Sequence, residues 1–205
     1  DLAGLAPDPT TARAILDAWR PELARMMREQ HNAVLLTTFA MPEQDIYCRG
    51  DVKTLEELKG KKVRVHTPSQ SDLMTGLGAT PLNMSYAATF PALEKSAIDC
   101  ALTSPMSAYR ARWQDVAGSL LRISAGYTTG MLVANADTWK KLAPATRTQI
   151  EAAAKSFAES AWALANSETQ DGLACLTGNQ PCAAGAPGKL KINVAPDLAL
   201  RDKAL

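Results

Sequence analysis

An α/β fold built mostly from parallel strands follows from two features of the sequence. Short runs rich in Val, Ile, Leu and Thr alternate with amphipathic helical segments along most of the chain. Glycines and prolines punctuate the changes of period, as at Gly50, Gly60 and Gly78. The 205 residues suffice for one large domain or for two small lobes, each with a core.

The elements run in order. Residues 8–32 place Ile15, Trp19, Leu23, Met26 and Met27 at helical spacing, with a break or fresh start at Pro21. "AVLLTTF" predicts a buried strand, and "QDIYCRG" a second strand ending at Gly50. "TLEELKG" predicts a short helix with Thr54 as N-cap, Glu57 closing a capping box and Gly60 ending it. "KKVRVHT" alternates as a strand, and a helix from Ser69 or Ser71 runs to Gly78. "TPLNMS" is a strand, followed by a helix from Tyr86 with Pro91 near its first turn. "IDCALT" is the next strand, "PMSAYRARWQDVA" a helix and "GYTTGMLVAN" a strand. "DTWKKL" is a short helix, residues 144–176 a long one, and the loop-rich tail closes on a short apolar strand.

Composition excludes several classes. The 22 basic and 21 acidic residues are interspersed, leaving a net charge of +1 and no basic stripe for nucleic acid. Aromatic content of 5% gives no base-stacking platform. Apolar runs such as 33–36 are too short to cross a bilayer. The opening at Asp1, without a basic start and an apolar stretch, reads as a mature or trimmed chain. Phosphate-cradling glycine loops are absent, and no Gly-x-Ser-x-Gly elbow surrounds Ser104. Cys100 or Ser104 as nucleophile would need a base, and only His31 and His66 are available. The four cysteines, at 48, 100, 175 and 182, lack zinc-site spacing, so no metal or cofactor is expected. By composition they suit disulfides in an oxidising compartment or buried thiols in a reducing one.

From Leu58 onward the order of motifs carries more. Leu58-Lys59-Gly60, the strand Arg64, Leu77-Gly78-Ala79 with Pro81, Tyr86, Ala92-Leu93 and Ile98-Asp99 stand in sequence. Together they resemble the solute-binding proteins of tripartite ATP-independent periplasmic (TRAP) transporters, over roughly residues 10–185. Complete members of that family are about half as long again, so the resemblance implies that an N-terminal third is lacking. It implies a two-lobed, type II-like periplasmic binding fold. Lobe I would hold 1–41 and 129–165, lobe II 42–128 and 166–205. The hinge would lie near 42–47 and 124–130, and the long helix would brace both lobes.

The implied function is capture of a small organic anion, a carboxylate, by hinge closure and its delivery to membrane permease subunits. The chain is expected to be a periplasmic monomer and not an enzyme; a sensor domain or a Cys- or Ser-dependent enzyme is the alternative. Arg64 is the candidate clamp, because a guanidinium fork holds a carboxylate through two parallel hydrogen bonds. Tyr86 occupies the family's ligand-packing aromatic, and Thr103 its ligand-contacting Asn. Gln44 falls where a second ligand-side Arg is common, and Tyr127 is a further candidate. Ser104 reads as an N-cap before Pro105, with anion-friendly amides behind it. His66 faces the same side as Arg64 but reads as a solvated strand end, outside the site. The expected disulfides are Cys48–Cys100, from neighbouring strands of a parallel sheet, and Cys175–Cys182, closing a tight loop.

Overall fold

The computed structural model describes residues 6, 8–123 and 125–195. The outer ends of the expected lobes, at 1–5, 7 and 196–205, and Ser124 of the expected hinge strand lie outside the described residues.

Helix α1 (Pro9–His31) starts on Asp8, whose side chain caps the Thr11 amide, and ends at Asn32 in the left-handed conformation. It runs through Pro21 without stopping. The missing N–H deletes one helical bond, while Leu23 just beyond is held in the core. Strand β1 (Ala33–Glu43) pairs antiparallel with β7 (Tyr127–Asn135) in a two-stranded sheet. Phe39 lies opposite Gly130, where a Cβ would stand only 2.3 Å from the ring. That gap lets Phe39 meet Phe157 edge-on at 5.0 Å.

The second sheet contains β2 (Asp45–Cys48), β3 (Lys62–Val65), β4 (Thr80–Asn83), β5 (Cys100–Thr103), β6 (Ser119–Arg122) and β8 (Lys191–Val194), in the order β4-β3-β5-β2-β6-β8. Pairings β3–β4, β3–β5 and β6–β8 are parallel, whereas β2 is antiparallel to both neighbours. The parallel pairs arise where helices intervene: α2 (Pro68–Gly76) between β3 and β4, and α3 (Tyr86–Glu94) between β4 and β5. β2 has no such crossover, since it continues from β1 after Gln44.

Both faces of this sheet are covered. Ile46, Val63, Val65 and Leu102 face one core with Leu58 and Met74; Tyr47, Ala101 and Leu120 face another with Leu93, Trp113 and Leu176. Burial on both faces is why all four residues of β2, Asp45 included, are enclosed.

Several local expectations are corrected. Residues 56–58 form one 3-10 turn whose start, Leu55, has no side-chain cap. Glu57 instead accepts from the Lys53 amide at 3.0 Å. Helix α2 begins at Pro68 because Thr67 caps it, accepting from the Gln70 amide. Pro91 sits in the second turn of α3. Helix α4 (Pro105–Arg110) stops early: Arg112 adopts a left-handed conformation that turns the fully buried Trp113 inward. β6 was absent from the sequence reading.

Helix α5 (Ala136–Lys141) precedes α6 (Pro144–Thr177), which packs against both β1 and α4. At the α4 contact, a Cβ on Gly172 would stand 2.2 Å from the Met106 backbone N. Both expected disulfides form, Cys48–Cys100 and Cys175–Cys182. The first joins antiparallel rather than parallel strands, with the two cysteines direct register partners.

Candidate functional site

Three parallel strands end at one place. Beyond β3 stands His66, beyond β4 Tyr86 opens α3, and beyond β5 come Ser104 and α4. Crevices at the carboxyl ends of parallel strands are the usual ligand sites of open α/β sheets. Here a cleft of about 220 Å³ is lined from that side by Arg64, His66, Tyr86, Thr103, Ser104 and Ser107. From the other side come Met41, Pro42, Gln44 and Thr128, contributed by the two strands that run between the sheets. Those strands are tied to each other by reciprocal backbone bonds: the Gln44 amide donates to the Gly126 carbonyl, and the Ala125 amide to the Gln44 carbonyl, each at 3.2 Å.

Arg64 is 4% exposed. Its Nε donates to the Met84 carbonyl at 3.0 Å and its Nη1 to the Leu102 carbonyl at 2.7 Å. The guanidinium is thereby stretched between the ends of β4 and β5. Among the described residues no carboxylate pairs with it and Nη2 meets no acceptor. Burial pushes its pKa down, and among the described residues only Tyr86 opposes this electrostatically. Burying a charge without a counter-charge is unfavourable unless something completes the pair.

The other walls are neutral. Tyr86 donates its hydroxyl to the Ser107 carbonyl at 2.6 Å, and its ring tilts over Trp113 with centroids 6.0 Å apart. Burial raises its pKa, partly offset by Arg110 and Arg64. Gln44, 6% exposed, donates Nε2 to the Pro42 carbonyl at 2.9 Å. Thr103 is buried as a residue, and its hydroxyl makes no hydrogen bond to a described residue. Ser104 does precede α4, yet its hydroxyl donates to the Ser107 hydroxyl at 2.8 Å and caps no amide. With six residues, α4 is also too short for a strong helix dipole.

Of the expected site residues, Arg64, Tyr86, Thr103 and Gln44 meet in this cleft, and Tyr127 does not. Tyr127 pairs with Glu43, and the charges acting on it are those of Glu43, Asp8, Arg122 and Asp45. Its neighbour Thr128 takes the cleft side, as strand alternation requires. His66, set aside from sequence, is in the wall; its spacing of two from Arg64 was the available signal. No sequence signal marked Met41, Pro42 or Ser107.

Behind the cleft lies a buried charge cluster. The Arg122 guanidinium contacts Glu43 at 2.5 Å and Asp45 at 3.1 Å, and the Ile123 amide donates to Asp45 at 3.2 Å. Asp45 is wholly buried, and burial pushes its pKa up to about 7.

Two larger hollows, of about 550 and 720 Å³, lie elsewhere. Their charged walls include mutually paired groups, Arg13 with Glu159 and Arg112 with Asp115. The small cleft, with its buried unpaired cation, is the better site. Cys100, locked in its disulfide and unexposed, is no nucleophile. Among the described residues no group of three or more His, Cys, Asp or Glu side chains could hold a metal ion.

Comparison with known proteins adds the following. The family described as bacterial extracellular solute-binding protein, family 7, matches residues 5–180. The C4-dicarboxylate-binding protein DctB of Bacillus subtilis (strain 168) is 31% identical over 115 residues, 54% of this chain and 32% of its own length. DctP7 of Bordetella pertussis, an extracytoplasmic solute receptor binding pyroglutamic acid, superposes with a TM-score of 0.87 at 23% identity, covering 100% of this chain and 65% of its own. A TRAP periplasmic solute-binding protein of Sulfitobacter sp. NAS-14.1 with bound β-D-galacturonate gives 0.86 at 16% identity, over 100% of this chain and 66% of its own. The chain thus spans about two thirds of the structural relatives, and its match to DctB covers about a third of that protein.

Proposed function

The chain belongs to the bacterial extracellular solute-binding proteins of family 7, and on that premise we propose that it captures a small organic anion through Arg64. The observation that carries this reading is the buried guanidinium, held by two carbonyls and lacking a carboxylate partner. An incoming carboxylate supplies the missing charge and takes the free N–H groups in charge-assisted bonds. Tyr86 packs against the ligand's carbon skeleton, and Thr103 and Gln44 bond its polar groups. The pyroglutamic acid and galacturonate bound by the structural relatives are both carboxylic acids, which supports the class.

In this reading the chain works outside the cytoplasm, in the periplasm, as a monomer that hands its ligand to permease subunits. The disulfides suit that oxidising compartment. Lobe I takes residues up to 41 and 129–165, and lobe II 42–128 and 166 onward, the tied strands at Gln44 and Ala125 serving as hinge. Binding rather than catalysis is supported by Ser104, whose hydroxyl is engaged by Ser107 instead of a histidine base.

Thermal melts with small carboxylic acids and their amides test the reading. The acids are expected to raise the melting temperature, and the amides to leave it unchanged. Arg64→Ala should weaken binding about ten- to hundredfold. Arg64→Lys should recover only part, since an ammonium cannot form the fork. Undiminished binding by Arg64→Ala would remove that residue from the site.

A further inference from the structure

The charge cluster behind the cleft sits where the chain crosses between the two sheets. Glu43 ends β1 and Asp45 opens β2, with the cleft residue Gln44 between them, and Arg122 ends β6. The β2–β6 ladder stops at the Ile46–Leu121 pair. The next link is a side chain: Asp45 Oδ1 accepts from the Ile123 amide. Beyond it the Gln44 backbone ties to Ala125 and Gly126. Asp45 is therefore one rung of the seam that joins the crossing strands, placed between the sheet and the hinge ties.

The charge on Asp45 decides whether that rung is neutral. With a proton on Asp45, Arg122 and Glu43 balance each other. Without it, two buried carboxylates share one guanidinium, and admitting water relieves the excess charge. Among the described residues, the charges that reach Asp45 are Arg122 from β6 and Glu43 from β1. Tyr47 on its own strand and Tyr127 on β7 also face the cluster, and burial pushes both pKa values up, so they stay neutral. Its β5 register partner, Thr103, carries no charge. Burial, opposed by Arg122 and helped by Glu43, pushes the Asp45 pKa up to about 7. An arrangement with a carboxyl raised in this way is favoured at low pH, and the advantage is lost as the pH rises through that value.

Resting on the two-lobed hinge reading, we propose that Glu43, Asp45 and Arg122 form a pH-sensitive latch: the protonated cluster holds residues 43–47 against 122–127, and loss of the Asp45 proton lets these strands part and the lobes open. Parting there carries Gln44 and Thr128 away from Arg64, which takes one wall off the cleft. Capture is then favoured on the acidic side of neutrality. One proton changes the ratio of latched to open chains by at most about tenfold per pH unit.

Nitroxide labels on Lys95→Cys and Lys141→Cys, two exposed sites on opposite sides of the hinge, read the distance between the lobes by pulsed electron resonance. In the otherwise native chain a short distance should give way to a longer one as the pH rises from 5, with no further change above about 7. Asp45→Asn, which keeps an acceptor for the Ile123 amide, should hold the short distance throughout. Glu43→Gln should bring the change to its end at a lower pH, because a neighbouring negative charge is gone, and it carries the test if Asp45→Asn does not fold. Two populations whose ratio ignores pH overturn the latch and leave the hinge intact. So does a native-sized response in Asp45→Asn, or an unmoved end point in Glu43→Gln. One fixed, narrow distance at every pH overturns the hinge reading and the latch together.

Discussion

Asp45 and Glu43, both buried, approach one guanidinium, that of Arg122, from two consecutive strands. The contact to Asp45 is an ion pair rather than an aligned hydrogen bond, since neither Asp45 Oδ2 nor Arg122 Nε has a bonding partner. Two carboxylates against one cation leave an excess negative charge in the interior. Burial, and after it the Glu43 charge, outweighs Arg122, so the folded chain holds a proton on Asp45 up to a pH of about 7, whereas the unfolded chain releases it near 3.8. A carboxyl raised in this way stabilises the fold at low pH, and that stability is lost as the pH rises through the folded value. Asp45→Asn keeps an acceptor for the Ile123 amide and leaves Arg122 with Glu43 as its partner. The variant is expected to melt higher than the native chain at pH 8 and to lose most of the native difference between pH 5 and pH 8. Thermal melts across that range check it; an unchanged slope would assign the dependence to other groups. This cluster was invisible in the sequence, because Glu43, Asp45 and Arg122 meet only through strand pairing. Arg64 was legible only from the order of motifs around it, since its alternation with two valines by itself reads as a solvated face. Tyr127 was named in place of Thr128 because alternation fixes two faces and does not say which one meets the cleft.

At the scale of elements, the contact between α4 and α6 rests on Gly172, where backbone approaches backbone. A methyl group there has no flexible side chain to displace and must push the helices apart. Gly172→Ala should destabilise the fold by about 1–3 kcal/mol, despite alanine's better helix propensity. Chemical denaturation measures it, and a gain in stability would mean that α4 yields easily. Elements with a strong period or a clear cap were the legible ones: α6, α3 and the strands β3, β4 and β5 stand near their expected places. Those misread were decided by tertiary burial. Pro21 signals a break that the packing of α1 overrides, and Trp113 ends α4 by turning into the core. β6 was missed because four residues after Gly118, "SLLR", carry too little pattern to distinguish strand from loop.

At the scale of the whole molecule, the two disulfides differ in accessibility. Cys48 and Cys100 are both buried, whereas Cys182 is partly exposed beside the buried Cys175. Mild reductant under native conditions should open Cys175–Cys182 alone, and Cys48–Cys100 should open only on unfolding. Alkylation with peptide mapping reads this directly; simultaneous opening of both would mean that β2 and β5 separate in the native state. The α/β class was legible, since helices alternate with strands, but the antiparallel β2 was not. Strand direction depends on where the chain enters the sheet, and β2 enters straight from β1. The longest element has a consequence of its own. With 34 residues, α6 extends about 51 Å, and Gly172 aside its interior holds no residue that invites a kink. Phe157 fastens it to β1 and Gly172 to α4, with four turns of rigid rod between. In a receptor that closes by hinging, such a rod removes sliding and twisting and leaves one angle free. Capture then becomes a search along a single coordinate, as the covers of a book can do little except turn about its spine.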